Sequence, residues 1–244
     1  MGGRNRGVGY VASTALYGVL ALLFLGVLIT SLFKNTIFMS TRSGLDWHYT
    51  GNYLGLAVGA VSYILITVVL RKLRGGQNLD WFMKFTHELT HTLAVLALFG
   101  KISEFVVRGY ECYVRYRVNR WGIGELSISL APYCIPIYTF MLFPFRLAGD
   151  ADYMILFDAL IGLSYAFHVH TFIKQTHTYQ SDITSSGIAR SVVYISFVHF
   201  AVLALILAIP KGGVLKAVGR VFYYYPIDII TNPVGWAQEI LQYF

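Results

Sequence analysis

The chain has 244 residues, of which 56% are hydrophobic and only 13% charged, with a mean hydropathy of +0.59. Roughly a quarter charged is usual for a surface facing water, so this composition excludes a disordered tail and an ordinary soluble domain. The net charge of +7 does not indicate nucleic acid, because the basic residues sit at the ends of apolar runs, where anionic headgroups would meet them.

Val11 to Phe33 carries no charge over 23 residues, more than the roughly 20 that cross a bilayer core as a helix. Arg4 and Arg6 precede it, but Ser31 to Lys34 offers no small-residue cleavage pattern, so it reads as a retained first span. Tyr53 to Leu70 is a second span, closed by Arg71, Lys72, Arg74 and a Gly75-Gly76 break. A third, about Leu79 to Gly100, contains Lys84, His87, Glu88 and His91. Phe105 to Asn119 alternates Cys112, Val114, Tyr116 and Val118 with Tyr113, Arg115 and Arg117, and Gly109 supplies a turn, which predicts a β-hairpin at the membrane surface. Leu126 to Phe145 is uncharged but interrupted by Pro132, Pro136 and Pro144, which predicts a kinked span. Tyr153 to Ile173 and Ser191 to Pro210 complete the set.

The expected fold is therefore an all-α integral membrane protein with about six transmembrane helices and one short membrane-associated hairpin. Residues 1–210 form a polytopic domain, and residues 211–244 form a basic, aromatic interfacial segment carrying Lys211, Lys216, Arg220, Tyr223 to Tyr225 and Trp236. The localisation this implies is a multi-pass protein of the cell or plasma membrane, with the lipid bilayer as a partner and no nucleic acid. Alternating spans leave 10 lysines and arginines on one side and 9 on the other, so the positive-inside rule does not orient the chain. Cys112 and Cys134 are too few for a disulfide framework or a thiolate cluster.

The third span reads His87-Glu88-Leu89-Thr90-His91, an H-E-x-x-H motif within a helix-length run. Residues four apart on a helix differ by about 40° in azimuth, so both imidazoles can chelate one metal ion. Glu88 stands about 100° round from His87, beside the ion, where a general base can take a proton from metal-bound water. Seven His and five Glu placed at random in this chain would give the pattern roughly 0.004 times, so composition does not account for it. Zinc needs a third protein ligand and leaves a fourth position open. Ala94 and Ala97 rule out the extended form with a third His on the same helix. Asp182, Asp158, Glu104, Glu111, His168, His170 and His177 are the candidates, while His199 reads as a packing residue. With His91 nine residues before Gly100, the metal is expected about 14 Å below the surface carrying the hairpin.

These residues resemble the site-2-protease class of intramembrane zinc metalloproteases, peptidase family M50. In that family the motif helix runs into a Gly-Lys/Arg-Val-x-x-Phe-like segment entering a membrane-associated sheet, matched here by Gly100-Lys101-Ile102-Ser103-Glu104-Phe105. Leu130-Ala131-Pro132 corresponds loosely to its Ala-Gly-Pro motif, and Gln180-Ser181-Asp182 with Gly187 to its Asp-Gly motif. Ile135 stands where the family has an Asn, and the chain has no Asn-Pro-x-x-Asp-Gly. The resemblance implies His87, His91 and Asp182 as Zn2+ ligands, Glu88 as general base, and hydrolysis of peptide bonds in membrane-spanning substrates. A catalytically inactive membrane subunit that scaffolds a larger assembly is the alternative, and a zinc hydrolase acting on lipid is a third reading.

Overall fold

A computed structural model describes residues 3–37, 47–73, 76–109, 111–118, 123–149, 151–177 and 179–242. Arg74 and Gly75, read above as part of a basic cluster and a helix break, and Asn119, the expected end of the hairpin, lie outside them. The long helices are α1 (Gly3–Ser31), α2 (Trp47–Lys72), α3 (Gly76–Ala97), α4 (Ile123–Cys134), α5 (Ile137–Ala148), α6 (Met154–Gln175) and α8 (Ile188–Ala208). The short helix α7 (Ser181–Ser186) precedes α8, and α9 (Gly213–Gly219), α10 (Tyr225–Thr231) and α11 (Pro233–Leu241) follow it.

Four helices, α1, α2, α6 and α8, are long and apolar enough to cross a membrane, and α4 with α5 makes a fifth if that bent pair is one span. Large apolar side chains along α2, among them Val58, Val61, Ile64 and Leu65, remain exposed, as lipid permits and water does not. The proline-interrupted run takes the form of two helices at 80°. Pro136 lacks the N–H that would continue the ladder, so the backbone turns there.

Helix directions correct the expected count of six alternating spans. Helices α2 and α6 run parallel: Gly55 faces Ile155 at one end, and Arg71 meets His170 at the other. Helices α1 and α8 are also parallel, with Arg190 over the Tyr10 ring and Phe24 against Phe197. Six alternating crossings would make both pairs antiparallel. If each of those four crosses, the parallel pairs require α3 and the α4–α5 pair to contribute one net crossing between them, five in all. The motif helix α3 fails the apolarity that the other four meet, because Asp80, Lys84, His87, Glu88 and His91 interrupt it.

Strands β1 (Lys101–Arg108) and β2 (Glu111–Arg117) form the antiparallel hairpin, with Lys101 opposite Arg117 and Arg108 opposite Glu111. Ser103 is an extra residue in β1, and Gly109 turns with φ +57°, a conformation glycine adopts without strain. The hairpin does not lie flat at the end of α3 but folds back along it. Phe105 packs edge-on against Phe85, and Lys84 donates to the carbonyl of Gly109 at 3.2 Å. Alternation then puts Phe105, Val107, Cys112, Val114 and Tyr116 on the helix-facing side, and Glu104, Tyr113 and Arg115 on the outer side. The outer side ties itself together, Arg115 and Tyr113 both reaching Glu104 at 2.9 and 3.0 Å.

The C-terminal segment packs on the bundle. Val214, Ala217 and Val221 join Phe24, Val27, Ala204 and Ala208 in one buried cluster. Trp236 donates its indole N–H to Thr30 Oγ1 at 2.8 Å, and Lys34 pairs with Glu239 at 2.7 Å.

Candidate metal centre

Helix α3 buries one face, made of Met83, Thr86, His87, Glu88, Thr90, His91 and Val95. The two threonines on it satisfy themselves locally: Thr86 Oγ1 donates to Phe82 O and Thr90 Oγ1 to Thr86 O. That leaves the imidazoles and the Glu88 carboxyl as the chemically unspent groups of the face. Helix α4 lies against it, antiparallel, because Gly124 sits at Leu98 and the Ile128 carbonyl at His91.

The segment between α6 and α8 returns to the same place. His87 Nε2 and His91 Nε2 lie 3.7 and 3.4 Å from Asp182 Oδ2, and ligand atoms of all three residues fall within 4.8 Å of one another. A tetrahedral ion about 2.1 Å from each ligand would separate neighbouring ligand atoms by about 3.4 Å. The donor set of two imidazoles and a carboxylate is one that zinc accepts. The His91 tautomer agrees with this. A carbonyl can only accept, so His91 Nδ1–H donates to Ile128 O at 2.9 Å, leaving the Nε2 lone pair of the neutral ring turned toward a carboxylate oxygen. Two acceptors facing each other at that distance are satisfied by a cation between them.

Asp182 lies partly buried beside the two imidazoles. Its position is further set by Tyr133, whose hydroxyl lies 3.0 Å from Gln180 Oε1 and 3.3 Å from Asp182 Oδ2. Gln180 Oε1 also accepts from the backbone N–H of His177 at 3.0 Å. The Tyr133 ring stands edge-on to His87, with centroids 5.2 Å apart. Sequence reasoning passed over Tyr133, although it directly follows the Leu130-Ala131-Pro132 segment singled out for its motif.

The other candidate ligands lie elsewhere. Asp158 is fully buried in an ion pair with Arg146 at 2.8 Å. Glu104 is committed to the outer side of the hairpin, and Glu111 sits at its turn, opposite Arg108. His177 stacks on Tyr179 and is exposed. His170 contacts Tyr63 and Arg71. His168 faces the opposite way from His170, stacks on His199, and shares a small pocket with His87, Thr86 and Thr90. His199 bonds through Nε2 to the carbonyl of Tyr133 at 2.7 Å, which fixes the end of α4.

No protein-family model matches the chain, and comparison with curated proteins and with solved structures yields no match.

Proposed function

We propose that the chain is an integral membrane zinc hydrolase of the site-2-protease type, which cleaves peptide bonds of membrane-spanning substrates. The observation that carries this reading is the convergence of His87, His91 and Asp182 from two distant segments, with the buried Glu88 next to the first ligand on the helix. Zinc bound by those three residues would supply Lewis acidity toward a carbonyl and a water molecule. Glu88 would take one proton of the attacking water while the water oxygen bonds to the scissile carbonyl carbon. As the C–N bond breaks, Glu88 would return that proton to the leaving amine. The Ile128 carbonyl and the Tyr133 hydroxyl keep His91 and Asp182 oriented throughout.

A substrate helix shields its own carbonyls, so cleavage needs an extended stretch. The hairpin supports such docking. Among the described residues, the backbones of β1 and β2 bond to each other and to no other strand, so the outer edges are open for a third strand next to α3. The broken helix pair α4–α5, whose residue Ile128 touches His91, is a second surface of that kind.

The test is elemental analysis of the detergent-purified full chain, for wild type, His87→Ala, Asp182→Ala and Glu88→Gln. About one zinc per wild-type chain, lost in the first two variants and kept in the third, is expected, with Glu88→Gln abolishing cleavage of a membrane-spanning reporter. Wild type without metal would sink the hydrolase reading. Metal retained with function indifferent to Glu88→Gln would leave the non-catalytic scaffold.

A further inference from the structure

Away from the metal centre, helices α2 and α6 approach closely where glycines face each other. A Cβ built on Gly59 would overlap the carbonyl of Ala159, and one built on Gly162 would overlap the carbonyl of Leu56. Small residues thus bring the two backbones into contact, as Gly-x-x-x-Gly pairs do. Beyond this contact, alanines continue the line as Ala60 and Ala166 and leave room along the groove wall. The result is a groove of about 780 Å3, closed on its third side by α8 through Leu203, Ile206 and Leu207.

The walls are apolar along most of their length, and the polar groups gather at the end where the apolar run of α2 stops. There Arg71 donates through Nη2 to His170 Nε2 at 3.2 Å. Arginine has no acceptor, so Nε2 of a neutral His170 must be the lone-pair nitrogen and Nδ1 the protonated one, which then donates to the Tyr63 hydroxyl at 2.6 Å. This chain of bonds holds the Arg71 guanidinium over the groove mouth while using one of its five N–H donors. Lys72 adjoins it, and Lys174 stands at the same end, paired with Asp80 at 2.8 Å. The local balance is therefore positive.

We propose that this groove is a binding site for an anionic glycerophospholipid, with an acyl chain between α2 and α6 and the phosphate on Arg71. The inference rests on the membrane placement above and not on the metal. The shape and charge select this occupant. A spanning helix with its side chains is about 10 Å wide, whereas a hydrocarbon chain is much thinner and fits a slot walled by three helices. One cationic end on an otherwise apolar slot matches an amphiphile with a single anionic head, and a guanidinium meets phosphate through paired charge-assisted hydrogen bonds.

The experiment is native mass spectrometry of the full chain in neutral detergent, offered equal amounts of phosphatidylglycerol and phosphatidylcholine with identical acyl chains. Both lipids carry the phosphate, but only phosphatidylcholine sets a quaternary ammonium beside Arg71 and Lys72, so wild type should retain phosphatidylglycerol about tenfold over phosphatidylcholine. Arg71→Gln should abolish the preference, and Ala166→Leu, which fills the slot, should reduce retention of both lipids. A single elution peak and an unchanged thermal midpoint certify each variant as folded. Equal retention of the two lipids by wild type, or a preference that survives Arg71→Gln, would overturn the site. So would a photo-cross-linker at Val68 that captures a peptide instead of lipid. Protein that stays in solution without detergent would instead refute the membrane placement.

Discussion

Tyr133→Phe isolates the one hydrogen bond among the described residues that reaches the Asp182 carboxylate from outside the pair of histidines. The hydroxyl lies between two acceptors, 3.0 Å from Gln180 Oε1 and 3.3 Å from Asp182 Oδ2, and the ring itself is buried. Phenylalanine keeps the ring, so no cavity opens and the edge-on contact with His87 survives. Gln180 retains its bond from the His177 N–H, so the loss falls on the orientation of Asp182. Groups that orient metal ligands change affinity by roughly 10 to 100-fold, and the longer 3.3 Å bond belongs at the low end, about tenfold or about 1.4 kcal/mol. Competition of the purified protein against a chromophoric chelator would read it directly. Gln180→Ala removes the competing acceptor and frees the hydroxyl for Asp182, so metal binding should hold or tighten, and the double variant should match Tyr133→Phe alone because both act on the same hydroxyl. An affinity unchanged in Tyr133→Phe would refute the assignment of Tyr133 as a positioning residue, and a double variant that departs from Tyr133→Phe alone would refute the shared hydroxyl.

Two further outcomes follow from the packing. Alanine should be worse at Gly59 than at Gly55, since the new Cβ would overlap the Ala159 carbonyl in the first case and sit 2.8 Å from the Ile155 carbonyl in the second. Thermal unfolding in detergent should give the lower midpoint for Gly59→Ala, and the reverse order would contradict the close crossing. Arg146→Ala leaves Asp158 buried without its partner and should cost about 3–5 kcal/mol, whereas Arg146→Met with Asp158→Leu should recover most of that. Equal stability of the single and double variants, measured in the same way, would show that the pair is not the reason for the loss.

The candidate site was legible in sequence where spacing alone fixes geometry. His87 and His91 share a face because a helix makes them do so, and the alternation of Cys112, Val114 and Tyr116 placed them on one side of a hairpin as the register has it. Asp182 came from a motif resemblance, and no periodicity connects it to a helix some ninety residues earlier. Tyr133 was invisible because a tyrosine in an apolar run reads as packing until its hydroxyl is seen beside a carboxylate. What the hairpin packs against was hidden for a related reason. Its strand pattern says which side is apolar but not what covers that side, and here Phe85 and its neighbours on α3 do. The span count failed where length was given more weight than charge: α3 is long enough to cross, but its buried face is the polar one.

The direction of the helices makes that correction testable without any substrate. Five net crossings put the start of α1 and the end of α8 on opposite faces of the membrane, and six would put them on the same face. Gly7 is exposed with open space around its Cα, and Gly212, also exposed, lies just beyond α8. Each can be replaced by cysteine in a chain whose Cys112 and Cys134 have been changed to serine. A membrane-impermeant maleimide applied to sealed vesicles should then label one of the two and reach the other only after the membrane is opened. Labelling of both from the same side would restore an even number of crossings. It would also require α2 and α6 to be antiparallel, against the contacts of Gly55 with Ile155 and Arg71 with His170 that define their shared direction.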